Sequence, residues 1–250
     1  MRTSNPALND KAFDIDRAAA RGEVMTINGT VNKTGFLLCL LWVAAIFTYD
    51  KTMTVAQTEG NPATLYPWMI GGSIAGLIIA MITIFKKTAA PITAPLYAVV
   101  EGLVLGVLSA FFELQFPGIV FQAVLLTFGT LLALLFAYKT GVIKATENFK
   151  LGVAAATGGI FVVYMISLVL GFFGVSIPLI HESGWVGIGF SLFVVVIAAL
   201  NLVLDFDFIE SGAAKGAPKY LEWYGAFGLL VTLIWLYIEL LRLLSKLRSR

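Results

Sequence analysis

Residues 185–206 read WVGIGFSLFVVVIAALNLVLDF, a continuous apolar run in which Asp205 is the one ionisable side chain. A helix needs about 20 mainly apolar residues to cross the hydrocarbon layer of a bilayer, which is about 30 Å thick. A strand of a membrane barrel would instead alternate apolar and polar side chains, and this run does not alternate. The stretch therefore predicts a transmembrane helix.

Six further runs of the same kind complete the pattern. The predicted spans cover residues 34–50, 65–85, 93–112, 118–138, 151–173, 185–206 and 222–244. Of the 250 residues, 59% are hydrophobic and 13% are charged, whereas a soluble domain is nearer half apolar and a quarter charged. We therefore expect an all-α polytopic membrane protein with one seven-helix domain over residues 34–250. Residues 1–33 form a polar N-terminal arm without the apolar core of a signal peptide.

Lysine and arginine are distributed unevenly between the two ends of these spans. Twelve of them lie in the N-terminal arm and in the second, fourth and sixth connections, whereas the first, third and fifth connections hold only Lys51. Because basic loops stay in the cytoplasm, this distribution predicts a cytoplasmic N-terminus in an inner membrane. The basic tail at Arg242, Lys246, Arg248 and Arg250 leaves two alternatives for the last segment. We favour seven full spans over a re-entrant segment that returns to the cytoplasm.

The composition and the motifs exclude several kinds of chemistry. Cys39 is the only cysteine and His181 the only histidine, so neither an intrachain disulfide nor a multi-histidine metal site is expected. Phosphate-binding loops, nucleophile elbows and zinc-protease motifs are absent from the sequence, as is the Gly-x-Gly-Asp motif of intramembrane aspartyl proteases. We expect no enzyme activity, no resident cofactor and no nucleic-acid partner.

Four carboxylates lie within or at the ends of apolar spans, namely Glu101, Asp205, Asp207 and Glu239. An ionisable group in hydrocarbon costs roughly 2.5–3.5 kcal/mol, so each needs a reason. No cation lies within a helical turn of Glu101, which slightly favours function over packing. Asp205 and Asp207 point about 200° apart on a helix, so only one of them can face the bundle. Asn201, one turn before Asp205, is placed to hydrogen-bond it.

Glu239 permits two interpretations from sequence. Arg242 lies three residues later on the same helical face, so a local ion pair and a functional carboxylate are both reasonable. Helical rise places Asp205 about 30 Å from the start of span six and Glu239 about 25 Å from the start of span seven. For the two carboxyls to meet, span six must extend past Asp205, or part of residues 210–222 must dip inward.

The acidic positions and their surroundings resemble a known family. Three segments carry the resemblance, namely Glu101-Gly102-Leu103 in span three, Asp205-Phe-Asp-Phe-Ile209 at the end of span six, and Trp235-Leu-Tyr-Ile-Glu239 in span seven. In this order, within seven spans, they resemble the Bax inhibitor-1/YccA-like membrane proteins, and a bacterial branch most closely. The resemblance covers about residues 34–245. It implies a central last helix surrounded by the other six.

The resemblance also implies a function. In characterised relatives, one buried carboxylate on each of the last two spans shares a proton and forms a pH-sensitive latch on a calcium leak. By residue match, Asp205 and Glu239 take these pH-sensing roles and serve as transient calcium ligands, while Glu101 and Asp207 lie on the ion pathway. Two carboxyls in contact at low dielectric titrate as a unit, because both cannot ionise together.

We therefore expect a monomeric, pH-sensitive calcium leak in the bacterial inner membrane, with calcium as the permeant ion. The resemblance leaves a second alternative open. In that alternative the chain transports nothing and binds a membrane-bound AAA protease, and the polar N-terminal arm is the segment that the protease contacts.

Overall fold

The computed structural model describes residues 24–58, 60–173 and 184–249. Seven long helices occupy most of them: α1 Ile27–Thr58, α2 Tyr66–Phe85, α3 Ala90–Gln115, α4 Ile119–Lys139, α5 Glu147–Phe172, α6 Trp185–Ala214 and α7 Leu221–Arg248. All seven are long and apolar enough to cross a membrane. Within these described ranges the only β contact is an isolated bridge between Val24 and Pro218. The prediction of an all-α seven-span bundle is confirmed.

Each predicted span corresponds to one helix, and the differences lie at the helix ends. Helix α1 begins at Ile27, within the residues assigned to the arm, and continues to Thr58. Helix α6 continues past Asp205 to Ala214. These ends carry polar residues, and hydropathy identifies only the part of a helix that lies in hydrocarbon. The arm residues 1–23 lie outside the described part of the chain.

Local sequence explains where several helices begin. Pro67 and Pro91 occupy the first turns of α2 and α3, where a missing N–H costs nothing. Thr146 caps α5, because its hydroxyl accepts a hydrogen bond from the Phe149 N–H at 3.3 Å. Gly118 adopts φ 81°, which lets the chain turn tightly from α3 into α4.

Helix α7 lies at the centre of the bundle. It packs against α1, α3, α4 and α6, and Leu230, Leu236 and Leu241 on it are 0% exposed. One apolar cluster joins it to α1 and α3, and a second joins it to α4 and α6. The peripheral helix α2 instead presents large apolar side chains such as Leu77 outward. The central last helix implied by the resemblance is therefore present.

Small residues allow α1 and α3 to approach closely. A Cβ atom at Gly102 would overlap the backbone oxygen of Leu41, and a Cβ atom at Gly106 would overlap that of Ala45. Backbone atoms cannot move aside as a flexible side chain can, so both positions require glycine. These small residues, which the sequence marks by their spacing, therefore serve packing within the chain.

The last helix crosses the whole bundle. Its first turn meets Thr26, which immediately precedes α1. At its other end, the Arg248 guanidinium donates to the carbonyl oxygens of Phe116 and Pro117 at 3.3 and 2.7 Å, and to Gln122 Oε1 at 2.9 Å. Those acceptors lie in the α3–α4 connection and the first turn of α4. The two ends of α7 therefore lie on opposite sides of the bundle, which excludes a re-entrant last segment.

Candidate functional site

A line of polar side chains runs along one face of α7. Glu222, Thr232, Glu239, Arg242 and Lys246 are separated by 10, 7, 3 and 4 residues. At 3.6 residues per turn, Thr232, Glu239, Arg242 and Lys246 fall within about 80° of one another around the helix, whereas Glu222, in the first turn, lies about 80° beyond Thr232. We call this line, together with its contacts on α6, the α6–α7 seam.

The middle of the seam joins Asp205 of α6 to α7. The Thr232 hydroxyl faces the Asp205 carboxyl and interacts with it, and Thr232 is 8% exposed. A Cβ atom at Gly228, one turn before Thr232, would come within 3.7 Å of Asp205 Oδ1. Asp205 Oδ2 is enclosed and has no hydrogen-bond partner among the described residues. Buried polar oxygens nearly always have a partner, so this atom marks a strained or functional position.

Asn201 does not hydrogen-bond Asp205, contrary to expectation. Its side-chain amide donates to the Thr157 hydroxyl of α5 at 2.8 Å and to the Ile197 carbonyl of its own helix at 2.8 Å. Both donor hydrogens of the amide are thus used elsewhere. Asn201 consequently ties α6 to α5 and leaves Thr232 as the partner of Asp205.

Glu239 lies farther along α7 than Thr232, in a separate cluster of polar side chains. Its Oε1 accepts hydrogen bonds from the Tyr164 hydroxyl at 2.9 Å and from Arg242 Nη1 at 3.1 Å. The Arg242 guanidinium also lies 5.4 Å from the centroid of the Tyr164 ring. Glu239 is 1% exposed, and its Oε2 has no hydrogen-bond partner within the described part of the chain. The local ion pair with Arg242 is confirmed.

The shared-proton pair implied by the resemblance is not formed in this structure. Asp205 and Glu239 contact different polar residues, and one oxygen of each has no hydrogen-bond partner among the described residues. Helix α6 does extend past Asp205, but the extension brings Asp205 level with Gly228 and Thr232. Glu239 lies seven residues beyond Thr232, which is about 10 Å along the helix. Thr232 therefore occupies the place that the resemblance gave to a second carboxyl.

Asp207 forms an ion pair at the end of the bundle. Its Oδ2 lies 2.8 Å from Lys150 Nζ, and Lys150 also contacts Glu147 at 3.2 Å. These contacts connect α6 to the first turn of α5. Asp205 and Asp207 thus point to different partners, as expected from their spacing.

Glu101 packs at the contact between α2 and α3. A Cβ atom at Gly76 of α2 would overlap the Glu101 carboxyl, so the carboxyl lies directly on the α2 backbone. Glu101 interacts electrostatically with Tyr97 one turn earlier, and the Tyr97 ring packs edge-on against Phe227 of α7 at 5.0 Å. Across the described ranges, no hydrogen bond joins Glu101 to Asp205, Asp207 or Glu239.

The segment that leads into α1 closes one end of the seam. Glu222 is 1% exposed, and its carboxylate accepts hydrogen bonds from the Thr26 backbone N–H and hydroxyl, both at 2.9 Å. Lys33 Nζ forms an ion pair with the other carboxylate oxygen. The Met25 N–H donates to the Ala217 carbonyl at 2.7 Å. Residues 24–33, which we call the strap, are thereby fixed to the α6–α7 connection.

Glycines make room for the strap. A Cβ atom at Gly29 would overlap the Glu222 carboxylate. Met25 is 2% exposed, and its thioether would lie 2.9 Å from a Cβ atom at Gly212 and 3.5 Å from one at Gly225. The Met25 side chain therefore fills the groove between α6 and α7 near Gly212 and Gly225, beyond Asp205 toward the α6–α7 connection.

Lys246 closes the other end of the seam. Its ammonium group donates to the Gly187 carbonyl at 3.1 Å and to the Ser191 hydroxyl at 2.8 Å. Ser191 is 2% exposed, so this contact lies inside the bundle. The seam is consequently packed at both ends, with Asp205 and Glu239 between them.

The seam does not contain a ready-made metal site. Within residues 24–58, 60–173 and 184–249, no three His, Cys, Asp or Glu side chains are arranged to hold a metal ion. Calcium prefers about six to eight oxygen ligands. Asp205 with Thr232 supplies few of these.

Seven helices long and apolar enough to cross a membrane, with α7 at the centre, define a multi-pass membrane protein. The family model described as Bax inhibitor 1 like matches residues 5–249. The chain therefore belongs to the Bax inhibitor 1-like family, as its acidic segments suggested. No protein among the curated sequences and none among the solved structures matches it.

Proposed function

We propose that the protein is a proton-sensitive cation leak of a bacterial cell membrane, with calcium as its permeant ion. It acts as a monomer with its N-terminus in the cytoplasm, and it needs neither a catalytic residue nor a resident cofactor. The observation that carries this proposal is the Asp205 carboxyl, which faces Thr232 of the central helix and has one enclosed oxygen without a partner among the described residues.

Protonation of Asp205 controls whether the seam stays closed. The neutral carboxyl accepts the Thr232 hydroxyl and leaves no net charge in the seam. An isolated carboxylate in a low-dielectric site is very costly, so ionised Asp205 draws water or a cation toward its unpartnered oxygen. Calcium is a hard cation that prefers carboxylate and hydroxyl oxygens. A rise in pH therefore opens the seam to calcium.

The contacts at the two ends of the seam act as its closures. At the end of the seam where the strap lies, Met25 fills the groove between α6 and α7, and the Glu222 carboxylate binds Thr26 of the strap. Toward the other side, Glu239 binds Arg242 and Tyr164. In this proposal Glu239 gates the far end of the path and meets the cation after Asp205, while Asp205 alone sets the response to pH.

Calcium uptake into vesicles tests the proposal. Purified protein in proteoliposomes that contain a calcium indicator is assayed between about pH 6 and about pH 8, a range in which a perturbed buried carboxyl titrates. We expect uptake to rise with pH in the wild type and to be low and independent of pH in Asp205→Asn. Asp207→Asn is the matched control and keeps the wild-type response, because Asp207 pairs with Lys150. Unchanged flux in Asp205→Asn contradicts the proposal.

A protease-binding modulator is the second candidate, and the strap favours it. Met25 and Thr26 fix the root of the N-terminal arm to the α6–α7 connection, so a partner that holds the arm would pull on the seam. Deletion of residues 1–23 keeps this anchor intact. We expect the deletion to abolish co-purification with a membrane-bound AAA protease and to leave calcium flux unchanged. If the protease still co-purifies after the deletion, the arm is not the segment that binds it.

A further inference from the structure

An apolar cavity of about 370 Å³ lies between α1, α3, α4 and α7. Its lining includes Leu41, Leu105, Val124, Leu233 and Ile234. An engineered apolar cavity of about 150 Å³ remains dry and binds benzene. The present cavity is more than twice that volume, so it has room for a longer apolar molecule.

The cavity reaches the central helix, beneath the outer surface of the bundle. Leu41, Leu105 and Leu233 on its walls are 6%, 4% and 3% exposed, respectively. Ordinary lipid around the bundle touches residues with large exposed areas, such as Leu125 at 56%. A molecule in the cavity would therefore contact side chains that surrounding lipid does not reach.

The cavity adjoins the lipid-facing surface between α1 and α4. Trp42 of α1 and Phe128 of α4 form an edge-to-face contact at 5.5 Å, and both line the cavity. Trp42 and Ile46, another lining residue, are 48% and 65% exposed on a membrane-spanning helix. Apolar molecules of the bilayer therefore have direct access.

Polar groups lie at the end of the cavity that is farther from the strap. The Ser109 and Tyr237 hydroxyls lie 2.7 Å apart, and Tyr49 is a further lining residue. Glu113, one turn after Ser109, interacts electrostatically with both tyrosines. An apolar body with one polar end matches an acyl chain whose ester group points toward the membrane surface.

We propose that this cavity binds one acyl chain of a membrane phospholipid. The chain enters between α1 and α4, its methylene groups lie against Leu105 and Leu233, and its ester end lies near Tyr49 and Tyr237. Burial of apolar surface drives binding, and the polar end sets the direction of the chain. The site is on the α7 face away from Thr232, so the inference does not depend on the proposed ion leak.

Photolabelling from within the bilayer tests this proposal. The full chain is reconstituted into phosphatidylethanolamine–phosphatidylglycerol vesicles that contain phosphatidylglycerol with a diazirine on its acyl chain. Labelled residues are identified by mass spectrometry. We expect label on the nearly buried residues Leu105 and Leu233 as well as on the exposed residue Leu125. A second reconstitution uses a diazirine fatty acid, which has the same chain without the glycerophosphate head.

Variants that fill the cavity test whether labelling of its buried residues depends on the cavity being open. Val124→Phe places a ring in the cavity, and labelling at Leu105 and Leu233 should fall about tenfold, which corresponds to about 1.4 kcal/mol of binding free energy. Leu125→Phe adds the same kind of ring on the outer face of α4 and should leave that labelling unchanged. Ala45→Leu fills the cavity from α1 and serves as a second variant if Val124→Phe does not fold.

Three outcomes overturn the proposal. The first is label confined to exposed residues, with none on Leu105 or Leu233. The second is labelling of those two residues that Val124→Phe and Ala45→Leu both leave unchanged. The third is labelling by the fatty acid but not by the phospholipid, which would assign the site to a free fatty acid.

Discussion

The Thr232 hydroxyl on α7 faces the Asp205 carboxyl on α6, and two helical turns separate this contact from Glu239. A hydroxyl cannot repel an ionised carboxylate as a second carboxylate would. The pH response proposed for this protein therefore rests on the cost of one isolated charge in the seam. This differs from the paired-carboxylate latch that the family resemblance implied.

Thr232→Val should destabilise the bundle, because the Asp205 carboxyl loses its donor. Interhelical hydrogen bonds in membranes contribute about 0.6 kcal/mol on average and about 1.7 kcal/mol at most. Since Asp205 is left with no other donor in the structure described, we expect a loss of about 1–1.7 kcal/mol. Unfolding by sodium dodecyl sulfate in mixed micelles measures this free energy.

The control for this variant is Thr127→Val. Thr127 is 3% exposed, and its hydroxyl donates to the Ala123 carbonyl of its own helix at 2.7 Å. Such a bond adds little to a helix that is already formed. Equal effects of Thr232→Val and Thr127→Val would show that the Asp205 contact contributes nothing specific.

Gly29→Ala should displace the strap. The added methyl group overlaps the Glu222 carboxylate, which Thr26 and Lys33 hold in place. Overpacking typically costs about 1–3 kcal/mol, so we expect a loss of that size in the free energy of unfolding. The strap should also become susceptible to limited proteolysis.

Gly35→Ala is the matched control on the same helix. Apart from the backbone of its own helix, no atom lies within 4 Å of a Cβ atom at Gly35, so alanine there should stabilise the helix by up to about 1 kcal/mol. Combining Gly29→Ala with Glu222→Gln should cost less than the sum of the two single changes, because they disturb one contact. Additive effects would refute the close approach of Gly29 to Glu222.

Cysteine labelling should place the end of α7 and the α4–α5 connection on opposite sides of the membrane. Ser249→Cys, in a Cys39→Ser background, follows the last helix, and Lys144→Cys lies in the α4–α5 connection. An impermeant thiol reagent added to sealed, right-side-out vesicles should label Ser249→Cys and should label Lys144→Cys only after permeabilisation. Labelling of both from the same side would contradict seven full spans.

The sequence predicted the number and order of the helices well. Continuous apolar runs such as residues 185–206 have few structures open to them except a membrane-spanning helix. Helix ends were less predictable. Ile27–Lys33 is polar in sequence, yet it is helical because Glu222 supplies a buried acceptor for Thr26 and Lys33. That partner is 189 residues from Lys33 along the chain, so no local pattern reveals it.

The partner of Asp205 was missed for a different reason. A search for costly buried charges finds Asp205 and Glu239 but passes over Thr232, which is neutral. A usable signal was nevertheless present, because Thr232 falls on the helical face that also carries Glu239, Arg242 and Lys246. The position of each carboxyl along its helix follows from its residue number. These positions predict that Asp205 and Glu239 lie apart, as they do in the structure.

Comparison of two carboxyl variants tests the central claim most directly. Calcium uptake into proteoliposomes is measured between about pH 6 and about pH 8 for Asp205→Asn and Glu239→Gln. If Asp205 responds alone, Asp205→Asn loses the pH dependence, whereas Glu239→Gln changes the size of the flux and keeps its midpoint in pH. Loss of the pH dependence in both variants would contradict this account, because a shared-proton pair requires both carboxyls.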